Sequence, residues 1–111
     1  MLIPHEGPTM KALVIGAGGV GSAIVNIASR KSFITSMVVA DRTLSRAETA
    51  VNRVKDARFS AAEVNAAELE DLRALIRKVK PDVVINAVDP RFVMPIFLVV
   101  LTLSLFLMAR T

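Results

Sequence analysis

The chain has 111 residues, of which 53% are hydrophobic and 22% charged, with five glycines, five prolines and no cysteine. That length and apolar content suit one domain with a real core, and exclude a disordered segment, a two-domain enzyme, a disulfide scaffold, a thiolate zinc site and a cysteine nucleophile. Fourteen Lys and Arg against ten Asp and Glu leave a net charge of +4, without Tyr or Trp. The basic residues alternate with acids, as in Arg46/Glu48, Lys55/Asp56 and Asp71/Arg73, so no nucleic-acid partner is expected.

Residues 1–9 hold two prolines, one glycine and no periodicity. They read as a disordered leader without a secretory signal, and His5 within it as an exposed histidine rather than a catalytic one. Met10-Lys11 opens structured sequence. Ala12-Leu13-Val14-Ile15 is a short apolar run ended by glycines, which predicts a buried strand. Val20, Ala23, Ile24, Ile27 and Ala28 then recur at helical spacing. Ser36 to Ala40 predicts a second buried strand, closed by Asp41. Leu44, Ala47, Val51 and Val54 mark a second helix, with Ser45 and Glu48 spaced as a capping box. Arg58 to Val64 is a weaker third strand. Asn65, with Glu68 three residues on, is placed to cap a third helix carrying Leu69, Leu72, Leu75, Ile76 and Val79, stopped by Pro81. Asp82 to Asn86 is a fourth strand. The order βαβαβαβ predicts an α/β fold: a Rossmann-like, doubly wound parallel sheet, incomplete at about four strands where such folds use about six.

Four of the five glycines fall within Gly16-Ala17-Gly18-Gly19-Val20-Gly21. The pattern G-x-G-x-x-G follows a strand and opens a helix, where it serves a dinucleotide. Gly16 permits the turn, Gly18 lets a pyrophosphate approach the backbone, and Gly21 lets the helix pack close to the sheet. The helix N-terminus, through Gly19 and Val20, then faces the phosphates. No Gly-Lys-Ser/Thr follows, which excludes a Walker-type loop.

Asp41, twenty residues after Gly21, is placed to accept the adenosine ribose hydroxyls and favours NAD over NADP. Arg42 beside it suits a 2′-phosphate or stacking on adenine. Asn65, after the third strand, suits an adenine contact or a helix cap. Asn86 and Ala87 follow the fourth strand at the carboxyl edge, where open α/β sheets bind ligands; a loop-closing Asn is the alternative for Asn86. The candidate cofactor site is therefore Gly16, Gly18, Gly19, Val20, Gly21, Asp41, Arg42, Asn65, Asn86 and Ala87. No metal site and no catalytic residue is assigned.

Lys11 to Ser22, Ala40 to Thr43, and Val84-Ile-Asn-Ala-Val-Asp-Pro90 together resemble the NAD(P)-binding domain of the saccharopine dehydrogenase (saccharopine reductase) family. The third segment discriminates, since many Rossmann proteins share the first two. The resemblance runs over residues 10–97. It implies NAD or NADP as cofactor, with NAD favoured because several members carry a neutral residue where Asp41 stands. It also implies an oxidoreductase that interconverts an imine and a secondary amine on amino-acid or polyamine substrates. In the family a further domain supplies most catalytic groups, so this chain alone is expected to bind a dinucleotide without turnover. The alternative is a non-enzymatic nucleotide-sensing Rossmann module, against which the segment Asn86 to Pro90 argues.

From Phe92 to Ala109 no residue is charged. Residues 98–111 form an apolar tail with three readings: a buried C-terminal helix, a short membrane span over residues 92–109, or an unrelated reading frame joined by a gene-level accident. The expected location is cytoplasmic, with membrane association through that tail under the second reading. A homo-oligomer or a complementing chain is the compatible protein partner.

Overall fold

Strand β1 (Met10–Ile15) runs through the glycine loop into helix α1 (Gly19–Ala28), and β2 (Ile34–Asp41), α2 (Leu44–Asn52), β3 (Phe59–Glu63), α3 (Leu69–Val79) and β4 (Val83–Asn86) follow. This computed structural model describes residues 9–87. The four strands form one parallel sheet in the order β3-β2-β1-β4. Ile15 stands beside Ala40 of β2 and Asn86 of β4, and Asp41 beside Glu63 of β3, so all four carboxyl ends emerge at one end of the sheet. The chain steps outward from β1 to β3 and then crosses back to β4. That reversal makes the end of β1 the topological switch point, where ligands of such sheets bind.

Side chains of a strand alternate between the two faces. Ala12 and Val14 of β1 pack with Met37, Val39 and Phe59 under Val25 and Ala28 of α1 and Ala47 and Ala50 of α2. Leu13 and Ile15 pack with Ala40 and Val64 under Leu72 and Ile76 of α3. Both faces of β1 are thus covered, which is why its sequence is apolar without alternation. Right-handed crossovers explain the helix placement: α1 and α2 share one face as the chain moves outward, and α3 takes the other as it returns. The fold is a Rossmann-like, doubly wound α/β sheet.

Three local expectations are corrected. First, the buried stripe of α1 is Gly21, Val25 and Ala28, not the one through Val20 and Ile27, which are 64% and 56% exposed. The tight seat of Gly21 against the loop sets the rotation of the helix. Second, α2 starts after Thr43, with Ser45 inside the first turn, and no side chain makes the cap bond, so the Ser45/Glu48 capping box does not form. Its last turn ends at Asn52, before Val54. Third, Glu68 rather than Asn65 occupies the N-cap position of α3. The Asn65 side chain instead accepts the Ala67 amide at 3.0 Å, closing a turn ahead of the helix.

At the opposite end of the sheet Arg58 is a junction. Its guanidinium donates to the carbonyls of Ser29, Lys31 and Ile34, pairs with Asp56 at 2.7 Å, and lies 5.3 Å from the centre of the Phe59 ring. It ties the end of α1 and the start of β2 to the start of β3. The carboxyl of Asp56 is held below the usual carboxylate range by its hydrogen bonds from the Arg58 side chain and backbone. The expected leader, apart from Thr9, and the whole apolar tail with its helix or membrane span lie outside the described residues. Among the described residues no helix is long and apolar enough to cross a membrane.

Candidate functional site

The strand-to-helix turn works as its glycines demand. Gly16 has φ 110°, a conformation that side-chain-bearing residues rarely adopt. Its amide donates to Ala40 O at 2.7 Å, anchoring the loop to the end of β2. A Cβ on Gly21 would lie 1.8 Å from Gly16 O, so the first turn of α1 sits directly against the loop it leaves. Gly18 caps α1 without a side-chain bond, and no acid occupies the first turn. The positive end of the helix is therefore uncompensated, and its first amides have no partner within the helix.

The two middle glycines differ. A Cβ on Gly19 would meet nothing within 4 Å, so its bare backbone faces open space and admits a close-approaching ligand. A Cβ on Gly18 would lie 3.1 Å from a guanidinium nitrogen of Arg46. The far end of the exposed Arg46 side chain thus stands beside Gly18, while Gly19 faces open space. Val20, beside them, is exposed on the outer side of α1.

Asp41 is the one buried charged side chain among the described residues, at 8% exposure. One carboxylate oxygen accepts the Ala17 amide of the glycine loop and the other accepts the Thr43 amide at the entrance to α2, each at 2.9 Å. A buried carboxylate needs such partners, and it locks the loop, the end of β2 and the start of α2 into one unit. Arg42 and Asn65 come together across an open groove of about 750 Å³, which Leu44 and Leu75 also line. Asn86 is half-buried beside Ile15, and the Ala87 amide donates to Ile15 O at 2.8 Å. The Ala87 methyl comes within 3.8 Å of the Cβ position of Gly21, so the end of β4 closes against the helix start.

The structure thus gathers the glycines, Asp41 and Ala87 into one constellation at the switch point, with Asn86 at its β4 side and Arg42 and Asn65 on its β3 side. Arg46 escaped the sequence reading. It stands in the first turn of α2 and belongs to no motif, and only the packing of α2 beside the loop brings it to Gly18.

The saccharopine dehydrogenase NADP binding domain is the family description that matches, over residues 12–102. Carboxynorspermidine synthase of Vibrio cholerae is 37% identical over 90 residues, covering 73% of this chain and 22% of that protein. Carboxyaminopropylagmatine dehydrogenase of Synechocystis sp. is 25% identical over 80 residues, covering 72% and 20%. Apo saccharopine dehydrogenase (L-Glu forming) of Saccharomyces cerevisiae superposes with a TM-score of 0.70 at 20% identity, over 81% of this chain and 19% of that one; that likeness speaks for the fold. The chain spans about a fifth of the length of the curated relatives it matches.

Proposed function

Because this chain belongs to the saccharopine dehydrogenase family through its NAD(P)-binding domain, we propose that Gly16, Gly18, Gly19, Val20, Gly21, Asp41, Arg42, Asn65, Asn86 and Ala87 hold the dinucleotide. The carrying observation is the loop itself: Gly16 at a positive φ that glycine adopts freely, Gly19 open, and the uncapped start of α1 behind them. A pyrophosphate would lie against the amides at Gly19 and Val20, where the helix dipole favours negative charge. Adenine would occupy the groove shared by Arg42 and Asn65, and Asn86 and Ala87 would border the nicotinamide half. When bound, the cofactor supplies hydride transfer.

The cofactor serves an oxidoreductase that interconverts an imine and a secondary amine. The names of the relatives, a carboxynorspermidine synthase and a carboxyaminopropylagmatine dehydrogenase, support a polyamine-like substrate. Asp41 shapes the site by holding the loop. The expectation of NAD over NADP required its oxygens for ribose hydroxyls, yet each already accepts a backbone amide. Each oxygen keeps a further lone pair for a ribose hydroxyl, so these bonds are compatible with NAD and with NADP, and the titration below decides between them.

Isothermal titration of the full chain with NAD and NADP tests this reading. Saturable binding of at least one dinucleotide, lost in Gly19→Leu, is the expected outcome. A folded chain, verified by circular dichroism, that takes up neither would overturn it.

A further inference from the structure

Strand β3 forms one edge of the sheet, and the chain leaves it through α3 to return past β2 and β1 to β4, so further strands add at β4 and not at β3. The Met37 amide donates to Arg58 O and the Val64 amide to Asp41 O, each at 3.0 Å, which fixes the phase of the β2–β3 ladder. Residues 58, 60, 62 and 64 therefore turn their backbone groups toward β2, while Phe59, Ala61 and Glu63 turn theirs outward. The Phe59 amide is used by Asp56 O. Among the described residues nothing meets the carbonyls of Phe59 and Ala61 or the amides of Ala61 and Glu63. Natural edges are commonly blunted by proline, lysine or a bulge. Strand β3 has none of these; Glu63 is its one charge, and its outward positions centre on the small side chain of Ala61.

We propose that this edge pairs antiparallel with the β3 edge of a second copy of the chain, about a two-fold axis through Ala61. Such a contact needs a surface that complements itself. In this register Ala61 exchanges both its bonds with its counterpart, and the Glu63 amide donates to the Phe59 carbonyl of the other copy. The charges follow the same symmetry. Glu63 and Asp71 line the carboxyl end of the groove beside β3, where Arg42 also lies, and Lys78 lines its amino end. Lys55 stands in the turn that enters β3. Reversing the strand direction sets Glu63 of each copy beside the Lys55 turn of the other. The edge-side flank of α2 suits the same axis. Leu44, 38% exposed, and half-buried Val51 stand with Glu48 at helical spacing, away from the flank that Arg46 and Thr49 turn toward α1. Two such flanks brought together remove Leu44 and Val51 from water and add to the strand pairing.

Sedimentation velocity and amide hydrogen exchange on the full chain test the pairing. The wild type is expected to form a reversible dimer with a Kd of roughly 1–100 μM, and exchange at Ala61 and Glu63 should slow as concentration rises. Ala61→Pro removes an outward amide and no bond of the monomer, so a folded chain that stays monomeric is expected. Glu63→Lys and Lys55→Glu should each weaken the dimer by about tenfold, and the double variant should recover to within about threefold of wild type. Circular dichroism verifies that each variant folds, and the charge variants carry the test if Ala61→Pro does not. A wild type still monomeric at about 500 μM would overturn the proposal. So would a dimer that ignores all three substitutions, or one that leaves the Ala61 and Glu63 amides unprotected.

Discussion

Asp41 and Ala17 are 24 residues apart in sequence and joined by a 2.9 Å bond from the Ala17 amide to the Asp41 carboxylate. The same carboxylate receives the Thr43 amide, so one buried charge fixes both the glycine loop and the entry to α2. Asp41→Ala orphans both amides, at a cost of roughly 1–3 kcal/mol each if they stay dry. The expected outcome is a lower urea midpoint together with weaker dinucleotide binding, since the loop loses its anchor. Unchanged stability in Asp41→Ala would show that water replaces the carboxylate without loss.

Gly21→Ala and Gly19→Ala should separate fold from binding. The Cβ at position 21 meets Gly16 O at 1.8 Å, so α1 must move off the loop. A loss of roughly 1–3 kcal/mol is expected from such overpacking, with binding abolished. At position 19 the Cβ meets nothing, so stability should change by less than about 0.5 kcal/mol while dinucleotide affinity drops. Thermal melts and calorimetry on both variants check the contrast; full affinity in Gly19→Ala would remove that position from the site.

Arg58→Met is expected to destabilise the domain by roughly 1–3 kcal/mol while leaving dinucleotide affinity unaltered in the molecules that remain folded. Three carbonyls and Asp56 lose their donor at once, and all lie at the end of the sheet away from the glycine loop. Urea unfolding and calorimetry report the two quantities separately. A variant as stable as wild type would mean that water serves those carbonyls equally well.

The Asp56–Arg58 pair also sets an acid dependence. A carboxyl whose value is lowered in the folded state stabilises above its unfolded value and loses that contribution as pH falls through the folded one. The contribution should be complete at neutral pH and disappear only in strongly acidic solution. Urea midpoints measured down the acid range in wild type and Asp56→Asn should converge at the lowest pH; parallel curves would exclude the pair as a source.

Lys80→Gly should raise stability. Lys80 ends α3 with φ 53°, a left-handed conformation that costs a side-chain-bearing residue and suits glycine. Its amide bond to Ile76 O is retained in the variant. A gain of about 0.5–1 kcal/mol is expected in the urea midpoint, and a loss would assign the Lys80 side chain a stabilising role.

The α/β class, the strand order along the chain and the glycine loop were all legible in the sequence. Each rests on local rules: apolar runs that bury both faces of a strand, and Gly16 and Gly21 at positions where a side chain strains or collides. The resemblance carried by Lys11 to Ser22, Ala40 to Thr43 and Val84 to Pro90 pointed to the family that the match over residues 12–102 shows. The register of helices and caps was less legible. Val20 and Ile27 fit a helical stripe, yet the contact of Gly21 with Gly16 turns Val25 inward and leaves them exposed. Ser45 and Asn65 have cap spacing, but the helices begin where the preceding turns place them, after Thr43 and Glu68.

By itself, then, the sequence determined that this protein builds a parallel sheet with a dinucleotide loop, because periodicity and glycine placement act within a few residues. Only the tertiary structure decided what Asp41 bonds to and where Arg46 reaches. The first depends on β2 pairing beside β1 and the second on α2 packing beside the glycine loop, and no local spacing encodes a contact made across two packed elements.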